Sequence, residues 1–141
     1  MKHWFLDTNV LIDFLLGRPP FALDAAALLE LARRQQLQLY AASLSFATAY
    51  YITRKTKTHE QTLTALSKLT HLVQILAVDA TTVQQALAAG FPDFEDALQY
   101  FAATAEPSIT AIVTRDPKGF RDATLPVLTP AQAVAQAITA S

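Results

Sequence analysis

Three aspartates are placed where they could together bind a hard divalent cation. Asp7 and Asp116 each follow an apolar run, and Asp96 lies in the first turn of a predicted helix. Two like charges about 4 Å apart repel by roughly 4 kcal/mol at an effective dielectric of about 20, so converging carboxylates must take up protons or a cation. Oxygen ligands favour Mg²⁺ or Mn²⁺, and a metal-activated water cleaves phosphodiesters.

The elements that must position these acids alternate between strands and helices. Strands are predicted over residues 3–6, 37–41, part of 71–78, 109–114 and 125–128. Helical spacing of apolar residues and capping signals predict helices that begin after residue 9 and at residue 130, and further helices over 21–36, 43–55, 58–69, 79–89 and 93–105. This order predicts an α/β fold with a mainly parallel central sheet of four to five strands flanked by helices, in one domain over residues 1–141.

The predicted topology brings the three aspartates to one edge of the sheet. In a right-handed strand–helix–strand unit the helix begins where the strands end, which is the edge where such sheets bind ligands. Each acid also has a simpler interpretation: Asp7 as a helix cap, Asp96 as a first-turn acid favoured by the helix dipole, and Asp116 as part of an Asp-Pro turn. Asp93 is interpreted as a cap, and Glu95, about 100° away from Asp96 around the helix, as a second-shell or solvated residue.

Composition limits the class of protein. Apolar residues make up 52% and charged residues 16% of the chain, against about 25% charged in an average soluble protein. The absence of cysteine excludes disulfides and thiolate metal sites. Acidic residues interrupt each apolar stretch, so we expect neither a signal peptide nor a membrane span, and a cytoplasmic protein.

Contact with nucleic acid would need a local basic patch, because the net charge is −1. The candidates are Arg18, Arg54, Lys55 and Arg115, although surface cations are commonly only solvated. The aromatic residues of the predicted helices are interpreted as core or dimer-interface residues rather than as platforms for bases. They are Tyr50, Tyr51, Tyr100 and Phe101.

Four motifs, spread over nearly the whole chain, resemble those of the PIN-domain family. They are Leu6-Asp7-Thr8-Asn9-Val10-Leu11-Ile12-Asp13, Asp93-Phe94-Glu95-Asp96-Ala97-Leu98-Gln99, Ile112-Val113-Thr114-Arg115-Asp116 with Phe120, and Pro126-Val127-Leu128-Thr129-Pro130. The resemblance implies a metal-dependent endoribonuclease of the VapC-like toxin type that cleaves RNA to a 5′-phosphate and a 3′-hydroxyl. It also implies an antitoxin partner, whose peptide would lie in an apolar groove on the early helices, and a homodimer.

The resemblance also implies roles for individual residues. Asp7 and Asp96 would be the principal Mg²⁺ or Mn²⁺ ligands and Asp116 would complete the catalytic pocket. Thr114 would hydrogen-bond around Asp116, and Asn9 would be a polar group near Asp7.

The chain departs from the family pattern at two positions. The family usually carries a glutamate in the segment that reads Ser43-Leu44-Ser45-Phe46-Ala47-Thr48-Ala49-Tyr50-Tyr51 here, and Thr48 or a neighbour takes its place. Gly119 stands where many relatives carry an acid. One alternative is therefore a PIN scaffold with an incomplete site that acts as a non-catalytic binding or regulatory module. A haloacid-dehalogenase-like phosphatase would need a second aspartate where this chain has Asn9.

Overall fold

Five parallel strands form the centre of the computed structural model, which describes residues 1–139. In chain order the strands are β1 (Lys2–Leu6), β2 (Leu37–Ala42), β3 (Val73–Leu76), β4 (Ala111–Val113) and β5 (Val127–Leu128). Their order across the sheet is β3-β2-β1-β4-β5, and every neighbouring pair is parallel. The predicted α/β fold with a parallel central sheet is confirmed.

Seven α-helices and one 3-10 helix flank this sheet within residues 1–139. The α-helices are α1 (Thr8–Leu16), α2 (Ala22–Arg33), α3 (Ser43–Thr53), α4 (His59–Leu69), α5 (Ala80–Ala89), α6 (Phe94–Thr104) and α7 (Pro130–Thr139). The 3-10 helix, Pro117–Phe120, follows β4 directly. Several elements are shorter than predicted, because the sequence pattern does not mark where the hydrogen-bonded ladder stops.

Both faces of the sheet are covered, as all-parallel sheets require. Successive residues of a strand point to opposite faces. Trp4 and Leu6 therefore pack in one buried cluster with residues of α1, α2 and α7, whereas Phe5 packs in another with residues of α6. Phe5 and Leu6 have no exposed surface. The burial of both neighbours explains why this strand reads as a continuous apolar run.

Polar side chains fix the beginnings of several helices. Thr58 and Gln61 form the predicted capping box of α4, in which each side chain accepts a hydrogen bond from the other residue's backbone N–H. The side chains of Asp79 and Asp93 accept the equivalent bonds at α5 and α6. The capping interpretation of Asp93 is confirmed, and the cap fixes the first turn that carries Glu95 and Asp96.

The register of the sheet brings distant segments together at the carboxyl ends of β1 and β4. Leu6 pairs with Val113, and the Asp7 N–H then donates to the Val113 carbonyl at 2.9 Å. Asp7 and Thr114 therefore leave neighbouring strands at the same edge of the sheet. Among residues 1–139, no helix combines the length and the apolar character that a membrane span requires.

Candidate active site

Asp7 is a buried carboxylate held by two side-chain hydrogen bonds. Only 5% of its surface is exposed. Gln99 Nε2 donates to Asp7 Oδ1 at 2.9 Å, and the Thr114 hydroxyl donates to Oδ2 at 2.7 Å. Although Asp7 is the residue that precedes α1, its side chain accepts no capping bond from that helix. Asp7 is thus at the cap position of α1, but the hydrogen bonds that hold its oxygens come from side chains across the sheet edge.

Gln99 is the functional residue that sequence reasoning missed. It lies on α6, has no exposed surface, and uses both ends of its amide: Nε2 binds Asp7, and Oε1 accepts from the Thr8 N–H at 3.0 Å. It thereby orients Asp7 and pairs one of the free amides at the start of α1. The available signal was a glutamine one turn after Asp96, on the face of α6 that the apolar pattern assigns to the core.

Thr114 links Asp7 to the segment that carries Asp116. Its hydroxyl donates to Asp7 and accepts the Asp116 N–H at 3.0 Å. The Thr114 side chain has no exposed surface, and its hydroxyl group donates one hydrogen bond and accepts another. Asp116 precedes Pro117, but its side chain does not cap the 3-10 helix that follows. It lines the same pocket as Asp7.

The three predicted aspartates meet at one pocket of about 300 Å³. The structure therefore places Asp7, Asp96 and Asp116 together at the sheet edge that the topology predicted. The remaining residues of the wall come from α1, α3 and the start of α6: they are Thr8, Asn9, Ile12, Thr48, Ile52, Asp93 and Glu95.

The pKa values of Asp7 and Asp96 are both raised, chiefly by burial. Burial raises the pKa of Asp7, and the bonds from Thr114 and Gln99 oppose this rise. The pKa of Asp96 rises to about 7, first because of burial and then because of the neighbouring charges of Asp7, Asp93, Glu95 and Asp116. Such a pocket holds protons near neutral pH unless a cation replaces them.

Glu95 also belongs to the pocket. Burial and the charges of Asp7 and Asp93 raise its pKa, and the nearby hydroxyl groups of Thr8 and Thr48 oppose this rise. Glu95 was expected to point away from Asp96, because it lies about 100° from that residue around the helix. Both side chains nevertheless line the pocket, because the pocket covers the whole first turn of α6. The pocket thus has a carboxylate beside Thr48, the position where the family's usual glutamate is absent.

Gly119 leaves room for the Asp96 carboxylate. A Cβ built on Gly119 would overlap with the Oδ2 atom of Asp96. Glycine is therefore required for this placement of Asp96, and any larger residue would displace it. The departure from the family pattern at this position has a steric reason in the structure.

The donor chemistry of the pocket fits a hard divalent cation. Its ligating atoms are carboxylate and amide oxygens, and Asn9 Oδ1 is buried with no hydrogen-bond partner among residues 1–139. No group of three or more His, Asp or Glu side chains within that part of the chain is arranged closely enough to hold an ion as it stands. Repulsion between the carboxylates is a sufficient reason for such spacing.

The four predicted RNA-binding cations are in different situations. Arg115 and Arg18 both face the buried carboxylate of Asp13: Arg115 Nε lies 2.8 Å from Oδ2, and Arg18 Nη1 lies 3.8 Å from Oδ1. Asp13 is 1% exposed, and burial raises its pKa while the two arginines oppose the rise. Arg54 and Lys55 instead lie exposed in the turn after α3. They form no ion pair with a carboxylate of residues 1–139, whereas the partly exposed Arg18 and Arg115 both face Asp13.

Comparisons with known proteins agree on one fold. The family model described as a PIN domain matches residues 3–118. VapBC2 from Rickettsia felis bound to a promoter DNA fragment is 20% identical, with 91% of this chain and 98% of that chain covered and a TM-score of 0.66. A toxin–antitoxin complex from Klebsiella pneumoniae is 22% identical, with 89% of this chain and 96% of that chain covered and a TM-score of 0.61. Mycobacterium tuberculosis VapC20, a Sarcin-Ricin loop cleaving toxin, is 15% identical, with 82% of this chain and 92% of that chain covered and a TM-score of 0.62. No curated protein matches the sequence.

Proposed function

Because this chain belongs to the PIN-domain family, we propose that it is a metal-dependent endoribonuclease, the toxin of a toxin–antitoxin pair. The observation that carries the proposal is the pocket in which Asp7, Asp96, Asp116 and Glu95 meet. The similarity of the fold to VapC20, a Sarcin-Ricin loop cleaving toxin, supports RNA as the substrate.

In this proposal the four carboxylates hold Mg²⁺ or Mn²⁺. A divalent ion, when bound, lowers the pKa of a coordinated water and neutralises charge on a phosphodiester. Gln99 and Thr114 fix both oxygens of Asp7, so that this side chain needs no reorientation before it binds. The exclusion of water from the buried Asp7 strengthens its interaction with any cation in the pocket.

The position of Glu95 favours the enzyme over the non-catalytic alternative. That alternative depends on the absence of an acid from residues 43–51, and the pocket receives a carboxylate beside Thr48 from α6 instead. Calorimetric titration with Mn²⁺ distinguishes the two proposals. An enzyme should take up the ion and lose this uptake in Asp7→Asn, whereas a silent wild type would favour the binding module.

Cleavage of RNA tests the proposed activity directly. With Mn²⁺, the wild type should cut an end-labelled RNA, and Asp7→Asn should cut it at least about 100-fold more slowly while keeping its circular dichroism spectrum. Glu60→Gln is the matched control, because Glu60 is an exposed first-turn acid of α4 outside the pocket. Equal rates for the wild type and Asp7→Asn would refute the assignment.

An apolar groove supports the proposed antitoxin partner. It has a volume of about 740 Å³ and lies between α1 and α4, with Phe14, Leu15 and Leu69 in its wall. Its charged lining residues are Lys57, Lys68 and Glu60, and this excess of positive charge suits an amphipathic helix with acidic residues. Two of the similar structures are toxin–antitoxin assemblies. Co-purification with the product of the neighbouring reading frame tests this partner; the homodimer and the cytoplasmic location stay predictions.

A further inference from the structure

Tyr51 exposes an aromatic ring next to the acidic pocket. Thr48 and Ile52 of α3 form part of the pocket wall. Tyr51 follows Thr48 by three residues, and residues three apart are neighbours on a helix surface. The exposed fraction of Tyr51 is 71%. Tyr51 therefore lies on the surface of α3 beside the residues that line the pocket, without lining it itself. Of the two interpretations offered from the sequence, core or dimer interface, the exposure of Tyr51 contradicts the first.

The ring of Tyr51 is supported from one side. Tyr50 packs edge-to-face against it, with ring centroids 5.3 Å apart and an interplanar angle of 83°. The Tyr50 hydroxyl lies 2.8 Å from His59 Nδ1 at the start of α4. Tyr51 thus has one aromatic neighbour, and most of its surface stays open to a flat ligand.

Accessible cations lie next to this ring. Arg54 and Lys55 follow Tyr51 by three and four residues, and both are exposed. Arg54 Nη1 donates to the Lys57 carbonyl, which holds the guanidinium near the end of α3 without neutralising it. An aromatic ring beside cations is the usual composition of a surface for single-stranded nucleic acid.

We propose that Tyr51 stacks on an unpaired base of the RNA strand whose phosphodiester enters the acidic pocket, and that Arg54 and Lys55 contact the adjoining phosphates. This inference rests on the proposed ribonuclease function and specifies its substrate class. A base that stacks on a side chain must be unpaired and unstacked from the adjacent bases. The substrate is therefore single-stranded RNA or an RNA loop rather than a regular duplex.

Binding to RNA with and without bases tests the stacking. Fluorescence anisotropy with a labelled, unstructured RNA 12-mer in EDTA prevents metal-dependent cleavage during the measurement. Tyr51→Ala should bind about tenfold or more weakly than wild type, and Tyr51→Phe should bind within about twofold of it. On a 12-mer with abasic sites the difference between wild type and Tyr51→Ala should disappear. Leu87→Ala is the matched control, since Leu87 is 69% exposed on α5 and outside the pocket wall.

Three results would overturn the inference. The first is that Tyr51→Ala binds the RNA as tightly as wild type does, and the second is that it loses as much affinity on the abasic strand as on the normal one. The third is that Tyr51→Ala has a different oligomeric state in light scattering, which would place Tyr51 in an interface between copies of the chain. The cleavage assay fails separately from this one. If the wild type binds through Tyr51 but does not cut with Mn²⁺, the ribonuclease proposal fails and the RNA surface stands; if it cuts and Tyr51→Ala binds normally, only the stacking fails.

Discussion

Replacing Asp96 with asparagine is expected to stabilise the metal-free protein at alkaline pH. Folding raises the pKa of this carboxyl from 3.8 to about 7, because burial and the neighbouring acids disfavour its charge. The folded state therefore binds this proton more tightly than the unfolded chain does. The contribution of this carboxyl to the free energy of unfolding therefore falls as pH rises from about 4 to about 7 and is constant above that. The asparagine variant, which has no titrating group at this position, lacks this fall.

The size of the gain follows from the pKa change. One pKa unit corresponds to about 1.36 kcal/mol, so the full change sets an upper bound of about 4 kcal/mol. Asp96 is only half-buried, and solvent screening reduces the expected gain in stability to about 2 kcal/mol at pH 8. At pH 5 the expected gain is less than half of that value. For a chain of this length we expect the melting temperature at pH 8 to rise by about 6–10 °C.

Thermal unfolding in EDTA at pH 5 and pH 8 provides the measurement. Glu60→Gln controls for the loss of a first-turn acid from a helix dipole, which costs about 0.3–1 kcal/mol and opposes the gain. The reasoning is refuted if Asp96→Asn has an equal or lower melting temperature than wild type at pH 8, or a gain that does not depend on pH. Excess Mn²⁺ should reverse the order, because the wild type alone keeps the full set of carboxylates.

Two further substitutions test the support of the pocket. Gly119→Ala should move the Asp96 side chain rather than the backbone, because the added Cβ would overlap with the end of that side chain. We expect a small change in melting temperature but at least about tenfold weaker Mn²⁺ binding by calorimetry. Gln99→Leu should lower the free energy of unfolding by about 1–3 kcal/mol in urea denaturation, because it leaves the Thr8 N–H and one Asp7 oxygen unpaired. A Gln99→Leu variant as stable as wild type would show that these bonds do not hold the site together.

The parallel sheet and the placement of its acids on one edge could be predicted from the order of the strands and helices. Parallel strands end at one edge, which put Asp7 and Asp116 on the same edge of the predicted sheet. Their closeness also depends on the pairing of β1 with β4, which the sequence did not predict. The first-turn position of Asp96 followed from the helix that leads into β4. None of this required knowledge of a side-chain conformation.

What could not be predicted depends on side-chain contacts between distant segments. The burial of Gln99 depends on the approach of α6 to the end of β1, and no local pattern reports that distance. The pairing of Arg115 with Asp13 joins residues 102 positions apart, whereas the sequence shows only a cation beside a candidate site. The need for Gly119 becomes visible only when the Asp96 carboxylate is seen against it.

The ion pair of Asp13 makes α1 a link between two of the pocket acids. Asp7 directly precedes this helix, and Asp13, one and a half turns further on, holds Arg115, the residue next to Asp116. The Arg115 guanidinium also lies 4.6 Å from the centre of the Phe21 ring, which fixes it from a second side. Because one helix is joined to both segments, a substitution that displaces α1 is expected to disturb Asp7 and Asp116 at the same time.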